Sequence, residues 1–203
     1  MTEQEHSPDT DLPILKDICR DKPGLNRHVL EQVIILAMEL AREGREGRKV
    51  GTMFIVGDSQ AVLERSRALI LDPLWHHDEA RKHIDDHNLR ETLKELSPLD
   101  GAFIISEDGL ALSACRYINA SAQDIKLPLG LGSRHMAAAS ISAVTDAVAV
   151  VVSESSVVRI FDQGEIVAEI IPELWLLRRH GLHLSGPYSL QREGEMTVVS
   201  KSS

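Results

Sequence analysis

Residues 147–171 read AVAVVVSESSVVRIFDQGEIVAEII. Ala147–Val152 is an unbroken run of small and β-branched apolar residues, the pattern of a strand buried on both faces. Val157–Phe161 and Ile166–Ile171 are two further β-rich runs, and Asp162-Gln-Gly-Glu165 between them reads as a four-residue hairpin connection. A sheet buried on both faces needs covering layers, and the flanking sequence supplies them.

Immediately upstream, Pro128-Leu-Gly-Leu-Gly132 breaks regular structure, Ser133 can cap, and Arg134–Val144 is an Ala-rich helix. Gly101–Ser106 is apolar, Glu107-Asp108-Gly109 is a turn, and Leu110–Tyr117 returns as the second arm of a hairpin. Asn88 and Glu91 have the spacing of a capping box for a helix through Leu96, and Leu69-Ile70-Leu71 reads as a short strand. Gly51–Gly57 is a buried strand, with Asp58-Ser59 as the cap of a helix over Ala61–Ala68. Between Leu25 and Arg42, Val29, Val33, Leu36, Ala37 and Leu40 recur at helical spacing, and a basic Gly-containing loop, Arg45–Lys49, follows. The expectation is an α/β fold, a twisted mixed β-sheet of about six or seven strands flanked by helices. The expected organisation is an N-terminal extension with the amphipathic helix over residues 1–48, a main domain over 49–185 and a C-terminal tail over 186–203.

The 203 residues are 43% hydrophobic but only 3% aromatic, so the core is packed by Val, Ile, Leu and Ala, which suits a helix-covered sheet. With 31 acidic against 22 basic residues the net charge is −9, which argues against a nucleic-acid or membrane partner. A small anionic ligand stays compatible, because a few Arg side chains and backbone N–H groups make a local positive site, particularly around a divalent cation. Cys19 and Cys115 make neither a disulfide framework nor a zinc spacing, and the polar N-terminus has no apolar signal core, so a reducing, cytoplasmic setting is expected.

Three segments put polar groups at the end of a predicted strand or the start of a predicted helix, where ligand sites of α/β folds gather. Asp100-Gly101-Ala102 leads into a strand: the carboxylate suits a divalent metal, and the glycine lets a flat base approach the backbone. Gly130-Leu-Gly132-Ser133-Arg134-His135 runs glycines into a helix start, where N–H groups, the helix dipole, the Ser133 hydroxyl and the Arg134 guanidinium face an anion. Ser153-Glu154-Ser155 ends the most apolar strand and can complete a metal site. Taken singly, each segment also reads as an ordinary turn or solvated loop. The His-rich stretch WHHDEARKHIDDHN (75–88) reads as a solvated linker or helix face, and Arg178-Arg179-His180 as an exposed helix end.

In this order, Asp100-Gly-Ala, Gly130-Leu-Gly-Ser-Arg-His-Met136-Ala-Ala, Val151-Val-Ser-Glu154 and Val158-Arg-Ile-Phe161 resemble the diadenylate cyclase (DAC) domain family, closely over about residues 90–171. The resemblance implies an enzyme that condenses two ATP molecules into cyclic di-AMP and two pyrophosphates at a face-to-face homodimer or higher homo-oligomer, with Mg or Mn. It further implies that Asp100, Arg134 and His135 are catalytic and that Asp100 and Glu154 hold the metal. Gly101, Ala102, Gly132, Ser133, Arg134 and Ser153 would contact the nucleotide. Two positions depart from the family pattern, Met136 where an Arg is common and Ser155 where a Glu is common, and each removes a charge from the expected site. Arg116 and Lys126 are candidates to compensate. A nucleotide-binding module with weak or no turnover, and a scaffold built around the Leu25–Arg42 helix, are the rival readings.

Overall fold

The structure is a computed structural model, and it describes residues 22, 24–121, 125–172, 188–193 and 196–201. In chain order the elements are α1 (Arg27–Glu43), β1 (Thr52–Val56), α2 (Ser59–Glu64), β2 (Ser66–Ala68), α3 (His87–Leu96), β3 (Ala102–Ile105) and β4 (Ala111–Ile118). They continue with α4 (Ser133–Val144), β5 (Val148–Val152), β6 (Val158–Asp162), β7 (Glu165–Ile171), β8 (Tyr188–Glu193) and β9 (Met196–Lys201).

All the strands join one sheet in the order β2-β4-β3-β1-β5-β6-β7-β9-β8. Only β1 and β3 pair in parallel; every other described neighbour is antiparallel, so the sheet is mixed, as expected. Among the described residues it has nine strands, where about six or seven were expected. The additions are β2, a three-residue edge, and β8 with β9, which come from the stretch expected to be a tail. The residues expected to form a strand at 69–71 lie just beyond β2, and Ile70 is fully exposed.

Alternation along the strands splits the core in two. Phe54, Val56, Val148, Val150, Val152, Val158 and Ile160 face α1, whose Val29, Leu30, Val33, Ile34, Leu36, Ala37 and Leu40 are buried against them. The helix expected in an N-terminal extension therefore packs on one face of the sheet. It ends at Gly44, whose φ of 65° lets its N–H return to the Leu40 carbonyl at 2.9 Å. On the opposite face Met53, Ile55, Ala102, Ile104, Ala149, Val151 and Phe161 pack against Ala138, Ala139 and Ile141 of α4. Small residues on α4 bring it close to the sheet.

Capping differs in detail from the sequence reading. The N-cap of α3 is Asp86, which accepts from Asn88 N at 2.8 Å, and Glu91 pairs with Lys94 instead of closing a capping box. Asp58 makes no side-chain cap for α2; its carboxylate accepts from Asp146 N, and Glu107 takes over, accepting from Ser59 N at 2.8 Å and Ser59 Oγ at 2.9 Å. The β6–β7 connection is a tight two-residue turn through Gln163 (φ 50°) and Gly164 (φ 81°), with Asp162 and Glu165 already paired. His83 and His87 do not share a helix, and the described residues contain no cluster of three metal-ligating side chains. Residues 178–180 lie outside the described residues. No described helix is long and apolar enough to cross a membrane.

Candidate active site

Sheet register decides where the three polar segments fall. Parallel pairing sets Met53 beside Ala102, so β1 and β3 begin at the same edge. Antiparallel pairing sets Thr52 beside Val152, so β5 ends there too. Gly51, Asp100-Gly101 and Ser153-Glu154 are consequently neighbours on three adjacent strands. The start of α4 lies over the same edge, and together they line a pocket of about 660 Å³ with Asp100, Gly101, Gly132, Ser133, Arg134, His135, Ser153 and Glu154 in its wall. Of the residues expected to be catalytic, to contact the nucleotide or to hold the metal, Ala102 alone stays out of the wall, buried at the start of β3.

Asp100, Arg134 and Glu154 make no hydrogen bond or ion pair with any described residue, so their charges are available to a ligand. The N-cap of α4 is Gly132, with no side-chain cap and no acidic residue in the first turn. Ser133 is the first helical residue rather than the cap expected for it, which leaves its hydroxyl unused by the helix. His135 N and Met136 N reach the Gly132 carbonyl at 3.1 and 3.2 Å, whereas the N–H groups of Ser133 and Arg134 precede any intrahelical acceptor. An anion is favoured at that point by open donors and by the dipole of a 12-residue helix.

His135 is set differently from Arg134. It is 8% exposed, its Nε2 lies 3.3 Å from Arg159 Nη1, and its ring is tilted against Phe161 at a centroid distance of 6.1 Å. Ser153 Oγ lies 2.8 Å from Ser155 Oγ, and Ser156 N closes the turn on the Ser153 carbonyl, which projects Glu154 into the pocket.

Gly101 is required for a reason the sequence did not disclose. Its φ is 103°, and a Cβ would stand 2.5 Å from the Cys115 carbonyl carbon and 2.7 Å from Arg116 N. The close approach that the backbone shows is to β4, at a bulge where Cys115 takes φ 55°. Burial, and then the charges of Asp72 and Asp100, push the Cys115 thiol up, which fits its place under the pocket wall. Gly51 is a second glycine of the site: a Cβ there would stand 2.4 Å from Arg134 Nη1 and 3.3 Å from Glu154 Cγ.

Met53, Leu69, Arg116, Tyr117 and Ile118 also line the pocket and were not singled out as contacts from the sequence, apart from Arg116 as a compensating cation. Tyr117 is 52% exposed, with Arg67 stacked over its ring at 4.7 Å, and it gives the pocket an aromatic edge. A large exposed aromatic in a chain with only two tyrosines was the available signal. Arg116 spends Nε and Nη2 on Ser66 Oγ and on the Leu63 and Ser66 carbonyls. Its Nη1 is not engaged by any described residue. Lys126 and Met136 are exposed and outside the pocket lining.

A mixed sheet with a polar pocket at the ends of its central strands, closed by a bare helix start, defines a ligand-binding α/β domain. Residues 39–166 match the family described as DisA bacterial checkpoint controller nucleotide-binding, DAC, and the chain belongs to that family. It is 47% identical over 152 residues to a diadenylate cyclase of Methanocaldococcus jannaschii, covering 74% of this chain and 48% of that protein. To a diadenylate cyclase of Haloferax volcanii it is 42% identical over 157 residues, covering 77% of this chain and 56% of that protein. The chain spans about half the length of the curated relatives it matches. Among solved structures, a double mutant of DacA from Staphylococcus aureus has a TM-score of 0.48 at 24% identity, over 68% of this chain and 84% of that one. A hypothetical membrane spanning protein from Bacillus cereus also gives 0.48, at 18% identity, over 66% of this chain and 60% of that one.

Proposed function

We propose that this chain is a diadenylate cyclase that condenses two ATP molecules into cyclic di-AMP. The observation that carries the reading is the convergence of Asp100, Arg134 and Glu154, all without protein partners among the described residues, on one pocket at a bare helix start. Family membership and the names of the curated relatives support it.

In this reading the triphosphate lies at the start of α4, against the Ser133 hydroxyl, the N–H groups of Ser133 and Arg134, and the Arg134 guanidinium. The nucleoside lies toward Met53, Leu69, Tyr117 and Ile118, the apolar part of the wall. Asp100 and Glu154 are oxygen donors of the kind that hold Mg or Mn, with phosphate oxygens and water completing the set. Such an ion, when bound, neutralises charge that develops on the phosphate during transfer. Asp100 also assists removal of the proton from the ribose 3′-hydroxyl. Each 3′-oxygen forms a bond to the α-phosphorus of the other ATP while the bond from that phosphorus to its bridging oxygen breaks, and pyrophosphate leaves with the electron pair. Performed twice, this closes the ring and releases two pyrophosphates.

A pocket of about 660 Å³ suits one nucleotide, and in this reading a second copy of the chain brings the other. Ile70, Tyr117, Leu129 and Met136 are exposed beside lining residues and offer apolar surface for a face-to-face contact. Incubation with ATP and Mg or Mn, followed by mass analysis of the nucleotides, tests the proposal. Cyclic di-AMP from the native chain and its loss in Asp100→Ala and Arg134→Ala are expected. Intact ATP at every metal and protein concentration would overturn the activity, and an ATP titration would then separate a nucleotide-holding module from a scaffold.

A further inference from the structure

The buried ion pair between β6 and β7 stands outside the pocket, and neither strand is needed to line it. Arg159 and Glu169 are register partners on the α4 face, 4% and 1% exposed, with Nε 2.6 Å from Oε1. Their surroundings on that face include Phe161, Ile166 and Val199. A buried pair of this kind is often no more stabilising than apolar residues of the same volume. Its position is informative because the guanidinium is forked: Nε faces Glu169 while Nη1 reaches His135 Nε2 at 3.3 Å across the gap to α4.

We infer that Arg159, held by Glu169, positions His135 and selects its tautomer. A guanidinium carries five donors and no acceptor, so the Arg159–His135 contact forms only if Nε2 presents its lone pair. The neutral ring then carries its proton on Nδ1. Phe161, tilted against the imidazole, restricts the ring flip that would put Cε1 in place of Nε2 at that contact. His135 therefore serves the pocket as a hydrogen-bond donor of set orientation and not as a proton acceptor, which leaves proton removal to Asp100. That last consequence rests on the cyclase reading; the tautomer itself does not. Arg159 and Glu169 are positioning residues, since both act on a ligand through His135.

The test is long-range proton–nitrogen NMR of the intact chain with nitrogen-labelled histidine, the His135 signals being identified by their loss in His135→Gln. The expected native pattern is a bare Nε2 and a protonated Nδ1. In the double variant Arg159→Met with Glu169→Leu, which removes both charges of the pair, the two nitrogens should move to averaged or reversed positions with the melting transition retained. Cyclase turnover should fall about tenfold to a hundredfold, the range for loss of an outer partner that orients a functional His. A protonated Nε2 in the native chain, or the native pattern surviving in the double variant, overturns the inference whatever the activity. Should the double variant fail to fold, the native spectrum still decides, because Nε2–H excludes Arg159 as its donor. A bare Nε2 in a chain that makes no cyclic di-AMP would sink the cyclase reading and leave the positioning standing.

Discussion

Replacing Gly51 by Ala adds one methyl group where the Arg134 guanidinium now lies. Gly51 does not sit in the left-handed region, so Ala takes its backbone without strain and, by restricting the unfolded chain, stabilises it by about 0.4–1 kcal/mol. The new carbon would stand 2.4 Å from Arg134 Nη1. Ordinary contact needs about 3.5 Å, so the end of the guanidinium must retreat by about 1 Å. Arg134 is a flexible side chain at a pocket wall and can swing aside, which spares the fold and misplaces the charge. A shift of about 1 Å in a positioning group is enough for a loss of about a hundredfold in rate, equivalent to about 2.7 kcal/mol. The assay is cyclic di-AMP formation beside a thermal melt, in a cycle with Arg134→Ala. Turnover should drop with the melting temperature held or raised, and in an ATP titration, which stays readable without turnover, Gly51→Ala should cost nothing more once Arg134 is already Ala. Undiminished turnover, or equal losses in both backgrounds, would refute the steric argument.

Gly101→Ala should act on stability instead, since the added carbon meets backbone at 2.5 Å and φ is 103°; denaturant melts should show a loss of about 3 kcal/mol or more, with lower soluble yield. Tyr117→Ala should leave the melt within about 0.5 kcal/mol and weaken ATP binding about tenfold, read by titration, if the ring borders the base. Glu107→Gln tests the tie between the β3–β4 turn and α2. Burial pushes that carboxyl up, but backbone hydrogen bonds and those from Ser59 outweigh it and hold it below the usual carboxylate range. A depressed carboxylate contributes stability above its unfolded value and loses it as pH falls through the folded value. The gap between native and variant melting temperatures should be widest near neutrality and close on acidification; a gap independent of pH would refute the ionic account.

What the sequence discloses and what it hides divide along physical lines. β5, β6 and β7 are legible because an apolar run and two alternating runs around Asp162-Gln-Gly-Glu165 have one reading. β2 is misplaced by three residues because apolarity marks Leu69–Leu71, while the actual edge, Ser66–Ala68, is polar; the apolar residues border the pocket instead. The start of α3 is misread because Asp86, two residues earlier, competes with Asn88 for the cap and wins through the Asn88 N–H. For the site, order along the chain is enough to pick out Asp100, Arg134 and Glu154. It is not enough to show that Gly51 makes room for Arg134, or that His135 meets Arg159. Those contacts depend on strand register and on the closeness of α4 to the sheet, which are properties of pairing and not of any local window.

Charge balance joins the acidic whole to the proposed anionic ligand. A chain of net charge −9 repels a polyphosphate at long range, and within the pocket Asp100 and Glu154 face Arg134 and Arg116. Screening shortens the long-range term to about 8–10 Å at moderate salt, so the pocket decides. There the bare start of α4 and Arg134 attract phosphate while the two carboxylates oppose it. Met136 lies outside the lining, and Arg116, whose Nε and Nη2 are held by neutral acceptors on Leu63 and Ser66, keeps its charge and brings a second cation to the wall. In the proposed function, a cation held by Asp100 and Glu154 would turn that opposition into attraction. Under the proposed function, the two carboxylates that would repel free ATP would favour a metal–ATP complex, so metal dependence and nucleotide selection would follow from the same charges of the wall.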